Sequence, residues 1–321
     1  MIDPDPDSTR CGFVAIIGAP NAGKSTLLNY MVGAKISIVT HKVQTTRTRI
    51  RGMTLSGHSQ IIFVDTPGIF KPRRRLDRAM VRAAWSGAAD ADRVMLLVDA
   101  PLYWEARVAD SDHISKRAAI SAADTDRILD GLQSTHTQAL LVLNKIDGLA
   151  REKLLQIAEQ LQAHNIFTDT YMISALTGDG VDDLKRDLAT QVPTGPWLYP
   201  PDQIADLPQR MLAAEITREK LTLRVHDELP YVTTVETESW KNQKNGSIRI
   251  EQVIYVQRES QRAIILGKGG QTIKEIGSLA REEIQDSLGC RVHLFLFVKV
   301  RQKWLDDPER YREIGLEFPK K

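Results

Sequence analysis

Residues Gly18 to Ser25 read Gly-Ala-Pro-Asn-Ala-Gly-Lys-Ser and follow the apolar run Phe13-Val14-Ala15-Ile16-Ile17. A glycine-rich loop between a buried strand and a helix is built to cradle phosphates. Main-chain N–H groups of the loop and of the helix N-terminus point at the anion, and glycine lets the backbone approach it closely. The binding set is therefore Gly18, Ala19, Pro20, Asn21, Ala22, Gly23, Lys24 and Ser25, continued by Thr26. Lys24 reaches the outer phosphates, and the Ser25 hydroxyl ligates a magnesium ion.

Four further motifs fall at the ends of expected strands, where open α/β sheets bind ligands. Asp65-Thr66-Pro67-Gly68 places a carboxylate to hold magnesium through water and a Gly68 N–H to sense the γ-phosphate. In Asn144-Lys145-Ile146-Asp147, the Asp147 carboxylate would accept from guanine N1–H and the 2-amino group. Adenine lacks that amino group, so GTP is selected over ATP, because the wrong base leaves a carboxylate unpaired. Lys145 would pack its stem over the base and tie back to the phosphate loop. Ser174-Ala175-Leu176 would offer a backbone N–H to the guanine oxygen. Of Thr45 and Thr46, we favour Thr46 as the hydroxyl that completes the magnesium shell with GTP and lets go after hydrolysis.

The supporting elements alternate. Apolar runs at 13–17, 61–64, 94–98, 139–143 and 170–173 are short and rich in Val, Ile and Leu, as strands buried on both faces should be. With helices between them they predict a mostly parallel sheet covered on both sides over residues 12–192, with 50–55 as an extra edge strand. Residues 1–11 read as a disordered tail. Residues 103–125 carry no strand pattern and read as an insertion, in part helical. Five prolines between 193 and 208 mark a linker. Beyond it, residues 209–321 follow the order α-β-β-α-α-β: a helix at 209–225, strands at 231–240 and 248–257, helices at 261–266 and 271–288, and a strand at 290–300. The fold class is α/β followed by a smaller α+β domain.

Composition sets bounds. The chain has 321 residues, 42% of them hydrophobic, enough for two domains with real cores. The formal net charge of +2 is too small to argue for nucleic acid. Cys11 and Cys290 form neither a disulfide framework nor a metal-ligand spacing, so a reducing cytoplasm is expected. No apolar stretch approaches the roughly 18–20 residues of a membrane span. The acidic, proline-broken N-terminus is unlike a secretory signal. A monomer is expected.

Between the last two helices stands Gly267-Lys268-Gly269-Gly270. This is the Gly-x-x-Gly loop of a KH fold, which clamps about four nucleotides of single-stranded RNA. The flanking order matches the type II arrangement. Lys268 and two helix N-termini would meet phosphates. The groove around Ile264, Ile265 and Ile273 would take bases, with Lys274 and Arg281 on the second helix.

The five nucleotide motifs resemble the translation-factor-related class of P-loop GTPases. Ile69 stands where Ras-like members carry a water-orienting glutamine, so intrinsic hydrolysis should be slow. In relatives with Asn at the position of Asn21, that residue is associated with a potassium ion. Carried over, Asn21, Lys24 and Thr46 are the catalytic candidates, and Ser25, Thr46 and Asp65 the magnesium ligands. A GTPase domain followed by a type II KH domain is similar to the Era family of bacterial GTPases. The matching stretches are 18–28, Gln44-Thr45-Thr46-Arg47, 65–68, 144–147, 174–176, 215–221, Glu228-Leu229-Pro230-Tyr231 and 265–281. That resemblance implies a GTP-hydrolysing switch that binds the 3′ end of 16S ribosomal RNA and assists maturation of the small (30S) ribosomal subunit. It also implies loose association with the inner face of the membrane. Two other readings stay open: an RNA-binding module with structural GTP, and a tRNA-modification GTPase. Departures from the family are residues 103–125 and the basic run Lys71–Arg75, which would touch RNA or simply be solvated.

Overall fold

A computed structural model describes residues 9–40, 50–109, 113–225, 229–302, 308–313 and 316–318. They divide into two compact units. The first contains residues up to 37, 50–206 and 316–318; the second contains 38–40 and 207–313.

In the first unit the elements run β1 (Arg10–Gly18), α1 (Lys24–Val32), β2 (Ile50–Ser56), β3 (Ser59–Asp65), α2 (Arg75–Ala89), β4 (Arg93–Asp99), α3 (Ala100–Tyr103), α4 (Lys116–Ser134), β5 (Ala139–Asn144), α5 (Arg151–Gln162), β6 (Phe167–Ile173) and α6 (Val181–Gln191). The six strands form one sheet in the order β2-β3-β1-β4-β5-β6, parallel except for edge strand β2, which is antiparallel to β3. Alternation along β1 sends Val14 and Ile16 to the face covered by α1 and α6, and Ala15 and Ile17 to the face covered by α2, α4 and α5. Both faces are dry, which is why the strands read as continuous apolar runs. Among the described residues no helix is long and apolar enough to cross a membrane.

Three expectations change. Residues 103–125 are part-helical as expected but belong to the crossover from β4 to β5: α3, a π-helical turn over Trp104–Val108 and the start of α4 lie there. Ala118 and Ala122 are fully buried there, and Ser115 caps α4 by accepting from Ala118 N at 3.1 Å. Small side chains let the helix lie close, and that composition hid its apolar stripe. Residues 9–11 are not tail, because Arg10 and Cys11 already belong to β1 and Thr9 donates to Gly195 O at 3.0 Å; residues 1–8 of the expected tail lie outside the described residues. The proline-rich stretch is pinned along the sheet edge up to Asp206. Gln60 Nε2 donates to Tyr199 O at 2.8 Å, Met53 N donates to Ile204 O at 2.9 Å, and Gly52 bridges Ala205.

The second unit runs α7 (Gln209–Arg224), β7 (Thr234–Asn242), β8 (Ile248–Val256), α8 (Glu259–Leu266), α9 (Gln271–Leu288), β9 (Val292–Val300) and α10 (Pro308–Glu313). Its sheet order is β7-β8-β9, antiparallel then parallel. Ile250, Ile254, Ile265, Ile276, Ala280 and Ile284 are fully buried in its core. Helix α7 is bolted down by charge as well as by apolar area. Arg218 pairs with Glu215 at 2.5 Å, Lys220 bridges Glu219 and Glu283, and buried Glu219 accepts from Val39 N at 2.9 Å.

Candidate functional site

Strands β1, β3, β4 and β5 all run to the same edge of the sheet, which places Gly18, Asp65, Asp99 and Asn144 along it in a staggered row. From β1 the chain turns through the phosphate loop, with Asn21 in the left-handed region at φ 63°. Helix α1 begins at Lys24 behind Gly23, and no side chain caps its N-terminus. Its leading N–H groups therefore face a ligand position, where the helix dipole favours negative charge. Gly23 has no alternative: at φ 105°, a Cβ would stand 2.2 Å from Asn144 Nδ2.

Side chains from the neighbouring strands brace this loop. Asn144, 1% exposed, donates to Ala22 O at 2.7 Å and accepts from Ala175 N at 2.9 Å. One amide thus joins the phosphate loop to the Ser174–Leu176 turn. Lys145, left-handed at φ 66°, donates to Asn21 O at 2.8 Å and forms an ion pair with buried Asp99. Asp147 lies exposed in a single 3-10 turn, Ile146–Gly148, directly after this brace. Ser174 Oγ accepts from Thr177 N at 3.2 Å, which tightens the turn and leaves Leu176 79% exposed.

Lys24 Nζ is buried and donates to the loop's own carbonyls, Gly18 O at 3.1 Å and Ala19 O at 2.9 Å. Burial pushes its pKa down to about 8, against the nearby Asp65 charge, which favours the ammonium; Lys145 adds a smaller downward push. Asp65 is fully buried, and its Oδ2 accepts from Ser25 Oγ and from Ser37 Oγ, each at 2.9 Å. Gly68 sits against Pro20, where a Cβ would come within 3.1 Å. Ile69 is fully buried against Ile17 and Val98, with its N–H on Gly18 O at 3.1 Å. It lies in the core and presents no polar group to water. Thr45 and Thr46 lie outside the described residues.

Sequence reasoning missed Asp99, Ser37 and Asn29. Asp99 was legible in principle, as an acid closing a buried strand level with Asn144. Ser37 carried no signal of its own. Asn29 Oδ1 accepts from Ile36 N at 3.0 Å and Ser37 N at 2.9 Å, and thereby sets the Ser37 hydroxyl on Asp65.

In the second unit, α8 ends at Gly267 and α9 begins after Gly270, with the loop Lys268–Gly270 as one 3-10 turn. Gly267 N donates to Ala263 O at 2.9 Å and Gly270 N to Gly267 O at 3.2 Å. Lys268, Lys274 and Arg281 are exposed, Ile264 is 54% exposed and Ile273 is partly buried. Ile265 is a correction: fully buried in the core cluster, it cannot line a groove.

The comparisons with known proteins give a GTPase model followed by a KH model along this chain. Residues 13–145 match a family model described as 50S ribosome-binding GTPase, and residues 228–305 match the KH domain model. The GTPase Era of Sinorhizobium medicae is 59% identical over 312 residues, covering 97% of this chain and 95% of that protein. The chain belongs to the Era family of GTPases. As an Era GTPase it binds GTP and hydrolyses it to GDP and phosphate. GTPase Era of Caulobacter vibrioides is 55% identical over 97% of this chain and 97% of its own length. The crystal structure of a variant Aquifex aeolicus Era bound to GDP and tetrafluoroaluminate matches with TM-score 0.84 and 37% identity, covering 96% of this chain and 99% of that one. An Era structure in complex with MgGDPNP and nucleotides 1506–1542 of 16S ribosomal RNA matches equally, with TM-score 0.84, 37% identity and the same coverage.

Proposed function

We propose that this GTPase is an RNA-responsive switch that binds the 3′ end of 16S ribosomal RNA through Gly267–Gly270 and assists assembly of the small (30S) ribosomal subunit. The observation that carries the reading is the pairing, in one chain, of a braced phosphate loop with a glycine loop between two helix ends. The RNA-bound Era structure supports the choice of target.

The residue roles follow from position. Backbone N–H groups between Gly18 and Thr26, Pro20 having none, receive the phosphates, and Lys24 leaves the carbonyls of Gly18 and Ala19 to meet them. Asp147 selects guanine, Lys145 lies along the base, and the Ser174–Leu176 turn offers its N–H to the guanine oxygen. The donors around Asp65 fit a small hard cation, being all oxygen and clustered within hydrogen-bond reach. Magnesium takes one or two carboxylates plus phosphate oxygens and keeps several waters. Ser25 and Asp65, with Thr46 from the segment before β2, would hold it; when bound it neutralises charge developing on the β- and γ-phosphate oxygens. Because Ile69 is buried, water is oriented by other groups. Asn21, left-handed in the phosphate loop, would recruit potassium, which would stand in for an arginine finger. Equal turnover in sodium and potassium would remove that role.

Lys268, Lys274 and Arg281 meet RNA phosphates, while Ile264 and Ile273 flank the bases and Gly269 allows close approach of the backbone. Peripheral association with the inner membrane face belongs to the same reading. The test is GTP turnover in potassium buffer, with and without an oligomer matching the 3′ end of 16S RNA. Turnover that rises with the oligomer and falls back in Gly269→Asp is expected. Turnover indifferent to RNA overturns the switch.

A further inference from the structure

Asp65 carries the negative charge of the magnesium set, and it is fully buried at the end of β3. Burial disfavours a bare carboxylate, so donors must keep it ionised and fix the direction of its oxygens. Two hydroxyls meet the same oxygen, Oδ2: Ser25 Oγ and Ser37 Oγ, each at 2.9 Å. Their duties differ. Ser25 belongs to the phosphate loop, and its oxygen is the one expected on the cation. Ser37 lies outside the five nucleotide motifs. A hydroxyl carries a single proton, and the Ser37 proton is given to Asp65.

Ser37 is 1% exposed, yet its segment is neither helix nor strand, four residues past the Gly33 cap of α1. One side chain replaces the missing ladder. Asn29 Oδ1 accepts from Ile36 N at 3.0 Å and from Ser37 N at 2.9 Å, and Asn29 Nδ2 donates to Ser37 O at 2.7 Å. Both main-chain groups of Ser37 are thereby fixed, and its hydroxyl is aimed at Asp65. Asn29 stands four residues after Ser25 on α1, so the two share a helix face. That face sends two donors to one carboxylate oxygen, Ser25 directly and Asn29 by way of Ser37.

We propose that Ser37 is a positioning residue for magnesium: its hydroxyl, set by Asn29, holds Oδ2 of Asp65 so that the carboxylate meets the cation's shell in one orientation. The inference rests on the magnesium assignment above and extends it to a residue that takes no part in nucleotide recognition. Hydrogen bonds to an ionised acceptor are the strong ones, and partners of metal-binding carboxylates commonly change metal affinity 10–100-fold. Without the Ser37 hydroxyl, Asp65 loses a donor that favours its charge. It also gains freedom about its last torsion, which is broad and two-fold for aspartate.

The experiment reads magnesium binding rather than turnover. The full chain is loaded with fluorescent N-methylanthraniloyl-GDP, and release into excess unlabelled GDP is timed over a magnesium series. Magnesium that binds with the nucleotide slows its release, and the concentration giving half the effect reports the metal's affinity for the complex. The parent is compared with Ser37→Ala, Asp65→Ala and the double variant. Ser37→Ala should raise the half-effect concentration about tenfold and release GDP at the parent's rate in EDTA. In the Asp65→Ala background it should add nothing, as expected of groups that act through one bond. An unshifted half-effect concentration overturns the proposal. So does an equal shift with and without Asp65, or faster release in EDTA, since either would make Ser37 a prop for the loop as a whole. Failure of the magnesium assignment looks different: Asp65→Ala would itself leave the half-effect concentration at the parent's value, and the role of Ser37 would fall with it.

Discussion

Asn144, Lys145, Asp65 and Asp99 reach across strand ends to hold the phosphate loop, whereas Gly267–Gly270 is shaped by its own main chain between two helices. The first arrangement is buried and cross-braced, and each brace joins elements far apart in sequence. The second is exposed and local. A nucleotide is small, rigid and always the same, so a preorganised site of fixed donors suits it. A strand of RNA arrives in many conformations, and a glycine loop with exposed lysines at 268 and 274 lets backbone meet backbone. Side-chain deletions should therefore be severe in the first region, and backbone changes should be severe in the second.

Deleting Lys24 tests the first half of that contrast at its largest. Lys24→Ala removes a buried ammonium from the phosphate loop. Single-turnover phosphate release should fall on the order of 10³-fold, the upper range for losing one preorganised donor. A fall below tenfold would mean that the loop N–H groups suffice. In the second region the matching change is Gly267→Ala. Gly267 has φ 73° and ψ 175°, a region reserved for glycine, and a Cβ would stand 2.1 Å from Thr272 Oγ1. The cost should be on the order of 3 kcal/mol, read from urea unfolding. Gly269→Ala, at φ 60° with open space around it, should cost about 1 kcal/mol. Equal costs for the two would show that the loop relaxes freely.

Asn144→Ala lies between these. It strands Ala22 O and Ala175 N in a dry site, at a cost of roughly 2 kcal/mol in unfolding free energy. GDP affinity should drop with it, since both loops slacken. If stability falls while GDP affinity holds, the brace is structural and the contrast between the regions narrows.

How much of this was legible follows the same division. The loop glycines, Lys24, Asp65, Asn144 and Asp147 are dictated by ligand chemistry, so spacing and residue type reveal them. The braces answer to three-dimensional proximity instead. Asp99 and Asn144 are neighbours across β4 and β5 although 45 positions separate them in the chain. Ser37 reaches Asp65 only because Asn29 turns the intervening backbone. The strands were readable because both faces are buried. The crossover at α3 and α4 was not, since the first half of the inner face of α4 is Ala118, Ser121, Ala122, Asp124 and Thr125, and the apolar Ile128, Leu129 and Leu132 come only after it. Ile265 was misplaced for a related reason: adjacent to Ile264 in a helix, it points some 100° away, and periodicity over eight residues cannot say which of the two faces the core.

Protonation offers the smallest test and one that isolates the first region. In the folded protein Lys24 titrates at about 8, against 10.5 as an ordinary lysine, because burial disfavours its charge. Below pH 8 the group is charged in both folded and unfolded chains, and the folded state bears the burial penalty. Between 8 and 10.5 the unfolded chain binds the extra proton, so this group makes the nucleotide-free protein more stable as pH rises. Nucleotide binding has the opposite sign. Phosphates favour the ammonium and raise its pKa, so GDP should take up a proton above pH 8. By pH 9 about a tenth of Lys24 is charged before binding, and GDP affinity should be roughly tenfold weaker than at pH 7. Calorimetry in two buffers of different ionisation heat counts that proton directly. The glycine loop contains no such buried group, so affinity for the short RNA oligomer should stay flat over the same range. A GDP affinity equally flat would mean that Lys24 is already charged in its carbonyl cradle.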